Sequence, residues 1–108
     1  MDIVSLNNVW IALANVEKRK GFEHLLKGYG AYVNIVVKAN NIEDLEKLVQ
    51  KTFYEEGFVL VDLQDIEYLS DRLKKFEVDE DVLKLVENLS NIYPVQFDTF
   101  HTYPFKDA

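Results

Sequence analysis

From Val9 to Val16 the chain reads VWIALANV, apolar on both parities except at Asn15, which predicts a central strand covered on both faces. A polar stretch over 17–30 follows and ends in Gly28-Tyr29-Gly30, a turn signal. Residues 31–39, AYVNIVVKA, predict a second strand. Its Ala31, Val33, Ile35, Val37 and Ala39 form one face; Tyr32, Asn34, Val36 and Lys38 form a partly polar other face. At residue 40 the period changes. Ile42, Leu45, Leu48, Val49 and Phe53 fall at helical spacing, with Glu43 and Asp44 in the first turn, where the helix dipole favours acids. Asn40 or Asn41 supplies the cap and Gly57 the left-handed stop, so a helix is predicted over 42–56.

Residues 58–65, FVLVDLQD, begin as a buried strand and turn polar. Ile66, Leu69, Leu73 and Phe76 return to helical spacing, which places a short helix around 69–75. Asp79 caps a last helix whose apolar stripe is Val82, Leu85, Val86 and Leu89, and Pro94 follows its end. Residues 95–103, VQFDTFHTY, predict one final strand. The short connections around helix 42–56 suit a βαβ crossover. Two helices, each with one apolar stripe, are enough to cover one face of a sheet. The expected fold is therefore α+β: a two-layer sandwich of an about four-stranded sheet with two main helices on one face, a ferredoxin-like plait or a permutation of it. A chain of 108 residues buries about two-thirds of its surface, enough for one core, so 1–108 is expected to be a single globular domain.

Charge and composition narrow the function. Twelve Lys and Arg against nineteen Asp and Glu give a net charge of −7, and the basic clusters 18–20 and 72–75 each lie beside carboxylates, which argues against binding nucleic acid. With no Cys there is no disulfide, thiolate nucleophile or Cys-ligated metal. Met1 to Ser5 carry no basic region leading into an apolar stretch, and no apolar run approaches the ~20 residues that span a bilayer, so the expected location is cytoplasmic, with no membrane partner.

Candidate chemistry is sparse. His101, with Thr99 and Tyr103 on the same strand parity, has the makings of a general base but no evident nucleophile and orienter. His24 and His101 show no metal-ligand spacing, and Gly28-Tyr29-Gly30 precedes a strand rather than opening a helix, so it is no phosphate loop. No catalytic residue, metal or cofactor is expected. The departure from uniformity is acidic: between 55 and 81, ten Asp and Glu face three bases, and Asp62 and Asp65 are the candidates for steering a basic partner. Helices on one side also leave the other sheet face uncovered. Trp10, Tyr32, Val36 and Phe100 are expected to line that face beside His101, and an apolar patch there calls for a homodimer with Trp10 at its centre or for the chain's own tail. The expected function is a small acidic binding module of inhibitor, immunity or regulatory type acting through protein–protein contact. The alternative is a homo-oligomeric domain binding a small molecule on the open sheet face.

Overall fold

The computed structural model describes residues 6–25, 27–75 and 80–104. Strands Val9–Lys18 (β1) and Gly30–Lys38 (β2) pair antiparallel and form the centre of the sheet. Helix Ile42–Glu55 (α1) then leads to strand Phe58–Tyr68 (β3), which pairs antiparallel with the other side of β1. β2 and β3 therefore run parallel with β1 between them, and α1 crosses over β1 to join them. Helices Leu69–Lys75 (α2) and Glu80–Glu87 (α3) follow. Two three-residue strands, Val95–Phe97 (β4) and His101–Tyr103 (β5), both line the free side of β2. The result is an α+β fold on an open antiparallel sheet of five strands, in the order β3-β1-β2-β4, with β5 also on β2.

Helix α1 forms for the reasons legible in its sequence. Asn41 caps it, its Oδ1 accepting from the Asp44 N–H at 2.9 Å, and Leu45, Val49 and Phe53 are buried one turn apart. The helix stops where Gly57 takes a positive φ of 97°, a conformation open to glycine.

The register of β1 on β2 decides which side chains share a face. Trp10 lies opposite Val37 and Ile11 opposite Val36. Even positions of β1 and odd positions of β2 thus point together, and they point at α1. Trp10, Ala12, Ala14, Val16, Ala31, Val33, Ile35 and Val37 are buried with Leu45, Val49 and Phe53 in one cluster. At the centre of that cluster the residues are small, while the flanking segments carry large rings. Phe53 packs against Phe58, Phe97 and Phe100, and Phe58 meets Phe100 with 5.0 Å between centroids.

A second cluster forms on the opposite face, where Val9 and Val36 are buried with Leu69 of α2 and Val82 and Val86 of α3, and Ile11, Leu85 and Leu89 pack beside them. This corrects the expectation of two main helices on one face: α1 and α3 cover opposite faces of the sheet. A helix's apolar stripe records that it packs, not on which side. Two further differences concern the strands. β3 continues to Tyr68 because two bulges, at 64–67 and 60–62, each insert one extra residue, with Asp65 at a positive φ of 54° in the first; they disturb the alternation that marks a strand. The predicted strand 95–103 is broken at 98–100, where Asp98 Oδ1 accepts from the Thr99 N–H at 2.7 Å. That break lets Phe97 and Phe100, of opposite parity, both reach the α1 cluster.

Both clusters are expected to be necessary. Phe53→Ala should cost about 3–5 kcal/mol and Leu69→Ala about 2–5 kcal/mol in urea unfolding, since each removes a fully buried side chain. A normal midpoint for Leu69→Ala would show that the second face is not a core.

Candidate functional site

The anticipated site residues separate. Trp10 is buried on the α1 side; its indole N–H donates to the Ala39 carbonyl at 2.9 Å and its ring stacks on Tyr68 at 4.1 Å. Val36 is fully buried on the other side beneath α3. Phe100 joins the α1 cluster. The expectation that Trp10, Tyr32, Val36 and Phe100 line one open face is thus corrected. With Tyr32 opposite Asn15 and Val36 opposite Ile11, only Tyr32 and Val36 share a face, and α3 takes Val36. The apolar patch that called for a dimer centred on Trp10 is accordingly filled from within the chain.

What remains open on the α3 side of the sheet is its polar half. Pairing places three rows there. Val59, Glu17, Gly30 and Tyr103 form one; Asp62, Asn15, Tyr32 and His101 form the next; Gln64, Leu13 and Asn34 form the third. His101 and Tyr103 belong to this surface, as strand parity anticipates, and His101 is exposed. Asn15, Glu17, Tyr29 and Tyr103 were not among the anticipated site residues. The signal for the first two is that they are the polar interruptions on one parity of an otherwise apolar strand.

Tyr103 organises one end of this surface. Its hydroxyl donates to Asn15 Oδ1 at 2.5 Å, and its ring lies 5.3 Å from that of Tyr32 and 6.5 Å from that of Tyr29. The glycines of the 28–30 turn serve close approach. A side chain on Gly30 would collide with the Tyr103 ring and hydroxyl, and one on Gly28 with the Tyr103 carbonyl, which accepts from the Tyr29 N–H at 2.8 Å. Burial, reinforced by the Glu17 carboxylate and then Tyr32, holds the Tyr103 hydroxyl above its ordinary pKa of 10.0.

The second surface is the outer edge of β3, which ends the sheet. Val59, Val61, Asp62, Gln64 and Asp65 are exposed along it. Between this strand and α1 runs a groove of about 520 Å³ lined by Gln50, Tyr54, Phe58, Val59 and Leu60 together with Lys47, Lys51 and Glu55, adjoined by a hollow of about 220 Å³ that shares Gln50 and Leu60 and reaches Val61 and Asp62. Asp62 and Asp65 are thus both exposed on this strand, and Asp62 lines the smaller hollow.

Among the described residues no group of three or more His, Asp or Glu stands close enough to hold a metal, and no helix is long and apolar enough to cross a membrane. Comparison with known protein families, curated proteins and solved structures finds no match.

The raised Tyr103 pKa has a defined consequence. The unfolded chain loses this proton first, so the stability that the neutral hydroxyl supplies is complete below pH 10 and lost as pH rises through the folded-state value. Tyr103→Phe should remove a tyrosine that ionises above pH 10 from an ultraviolet titration and flatten the alkaline loss of stability. Superimposable alkaline curves for the two proteins would contradict the placement of this hydroxyl.

Proposed function

We propose that the chain is a protein-binding module that takes an extended, basic segment of a partner along the outer edge of β3. The observation carrying this reading is the edge itself: an eleven-residue strand paired on one side only among the described residues, along which exposed apolar Val59 and Val61 are followed by exposed acidic Asp62 and Asp65. An unpaired strand edge offers backbone donors and acceptors to a partner strand, and flanking hollows select its side chains. The hollows beside β3 are shallow and open, a form suited to an extended chain more than to enclosing a small molecule.

Charge selects the partner. Two copies of this edge would set Asp62 and Asp65 against like charges, which destabilises the pairing, and the two bulges interrupt the template further. A segment carrying Lys or Arg meets the opposite condition and is steered toward the strand by the protein's net charge of −7. This is the physical content of an acidic regulatory or inhibitory module; a second copy of the chain is the occupant that the carboxylates disfavour.

A short peptide alternating lysine and valine tests the reading. It should shift backbone resonances along Phe58–Tyr68, while its glutamate counterpart should not. Reversing Asp62 and Asp65 together to Lys should slow association about tenfold at low salt and flatten its salt dependence. Resonance shifts confined to another surface, or an unchanged low-salt association rate, would overturn the proposal.

A further inference from the structure

We infer that Glu17, Tyr32 and Tyr103 form a subsite for the guanidinium group of an arginine side chain on a protein partner. The inference adopts the basic character of the partner from the reading above but rests on a separate part of the surface, the open face of β1, β2 and β5 rather than the outer edge of β3.

Its foundation is a carboxylate that has no countercharge among the described residues. Glu17 is half-buried near the end of β1 and makes no ion pair with any described residue. The open half of the sheet around it holds a second carboxylate, Asp62, and no Lys or Arg in any of the three rows. A partly desolvated carboxylate in such surroundings is stabilised by a cation supplied from outside.

Beside Glu17 the chain has built an aromatic floor. Opposite Glu17 on β2 stands Gly30, and opposite Gly30 on β5 stands Tyr103. The missing side chain at Gly30 is the space into which the Tyr103 ring leans, and the hydrogen bond to Asn15 fixes its hydroxyl there. The Tyr103 and Tyr32 rings are tilted by 47° to one another at 5.3 Å, so they present a shallow angle rather than a single plane. With its one proton committed to Asn15, the Tyr103 oxygen retains lone pairs to accept from a ligand. Glu17 and the aromatic floor thus belong to one place, as the influence of the Glu17 charge on the Tyr103 hydroxyl records.

This combination selects guanidinium over ammonium. A guanidinium is planar, weakly hydrated and able to stack on an aromatic face while its edge donates two parallel hydrogen bonds to a carboxylate; an ammonium is a strongly hydrated point charge. The same chain already uses the stacking mode internally. The Arg19 guanidinium lies 4.1 Å from the Tyr54 ring centroid and 4.5 Å from that of Phe22.

The test is a nuclear magnetic resonance titration of the intact chain with N-acetylarginine methylamide, the smallest mimic of an arginine residue. Binding should be weak, with a dissociation constant of about millimolar order, and the shifts should centre on Glu17, Tyr32 and Tyr103. The neutral isostere N-acetylcitrulline methylamide, the corresponding lysine compound and the Glu17→Gln variant should each bind about tenfold more weakly. Tyr32→Leu supplies a second variant should Glu17→Gln perturb the fold, and it too should weaken binding. Citrulline or lysine binding equally well, or Glu17→Gln and Tyr32→Leu both leaving affinity unchanged, would overturn the inference. Free arginine binding more tightly than the blocked residue would overturn the assignment to a polypeptide partner. Because the probe is too small to pair with a strand, its shifts at Tyr32 and Tyr103 do not depend on whether the lysine–valine peptide shifts Phe58–Tyr68, so failure here and failure at the β3 edge are read separately.

Discussion

The contact on which this fold depends is made across the width of its sheet. Phe58 opens β3 at one edge and Phe100 precedes β5 at the other, yet their rings are 5.0 Å apart. Three strand spacings in a flat sheet amount to roughly 14 Å. The rings close that gap by leaning inward over Ala14, Val16, Ala31 and Val33, all fully buried and all small. Phe53 of α1 and Phe97 of β4 complete the group. Small residues in the middle and large ones at the margins make the α1 side a cradle. Packing at native density requires that arrangement, because larger side chains at the centre would hold the edges apart.

Concentrating the large rings on one side leaves little to cover the other. Only the end of the second face carrying Val9, Ile11 and Val36 is apolar, and α2 and α3 are just long enough to bury it. The remaining rows can stay polar because no described helix packs on them, and there the chain places Glu17, Asn15, Tyr32, His101 and Tyr103. The β3 edge is exposed for a related reason: α1 returns the chain to the far side of β1, where no later strand follows among the described residues. Both candidate binding surfaces are thus consequences of how the core is shared out, and neither conflicts with stability.

Much of this was legible in the sequence wherever a single element decides the pattern. The stripe Leu45, Val49 and Phe53, the Asn41 cap and the Gly57 stop define α1 without reference to anything else. What escaped is relational. Trp10, Tyr32 and Val36 have the same parity in number, but the hairpin pairs Trp10 with Val37, which sends Trp10 to the opposite face from the other two; a register is fixed by the turn and the pairing, not by either strand alone. In the same way the bulges of β3 hide its last three residues as strand, and the Asp98 turn divides β4 from β5. The acidic edge was visible as composition at Asp62 and Asp65, whereas Glu17 and Tyr103, 86 positions apart, become neighbours only through two successive strand pairings.

The central claim is that the margins of the sheet are energetically joined over its small-residue centre. A double-mutant cycle between Phe58 and Phe100, each replaced by Leu, measures that junction directly. The account predicts a coupling of about 0.5–1.5 kcal/mol in urea unfolding, the range of a packed aromatic pair. A coupling of zero, with the two single losses simply additive, would mean that the edges are stabilised independently and would contradict the account.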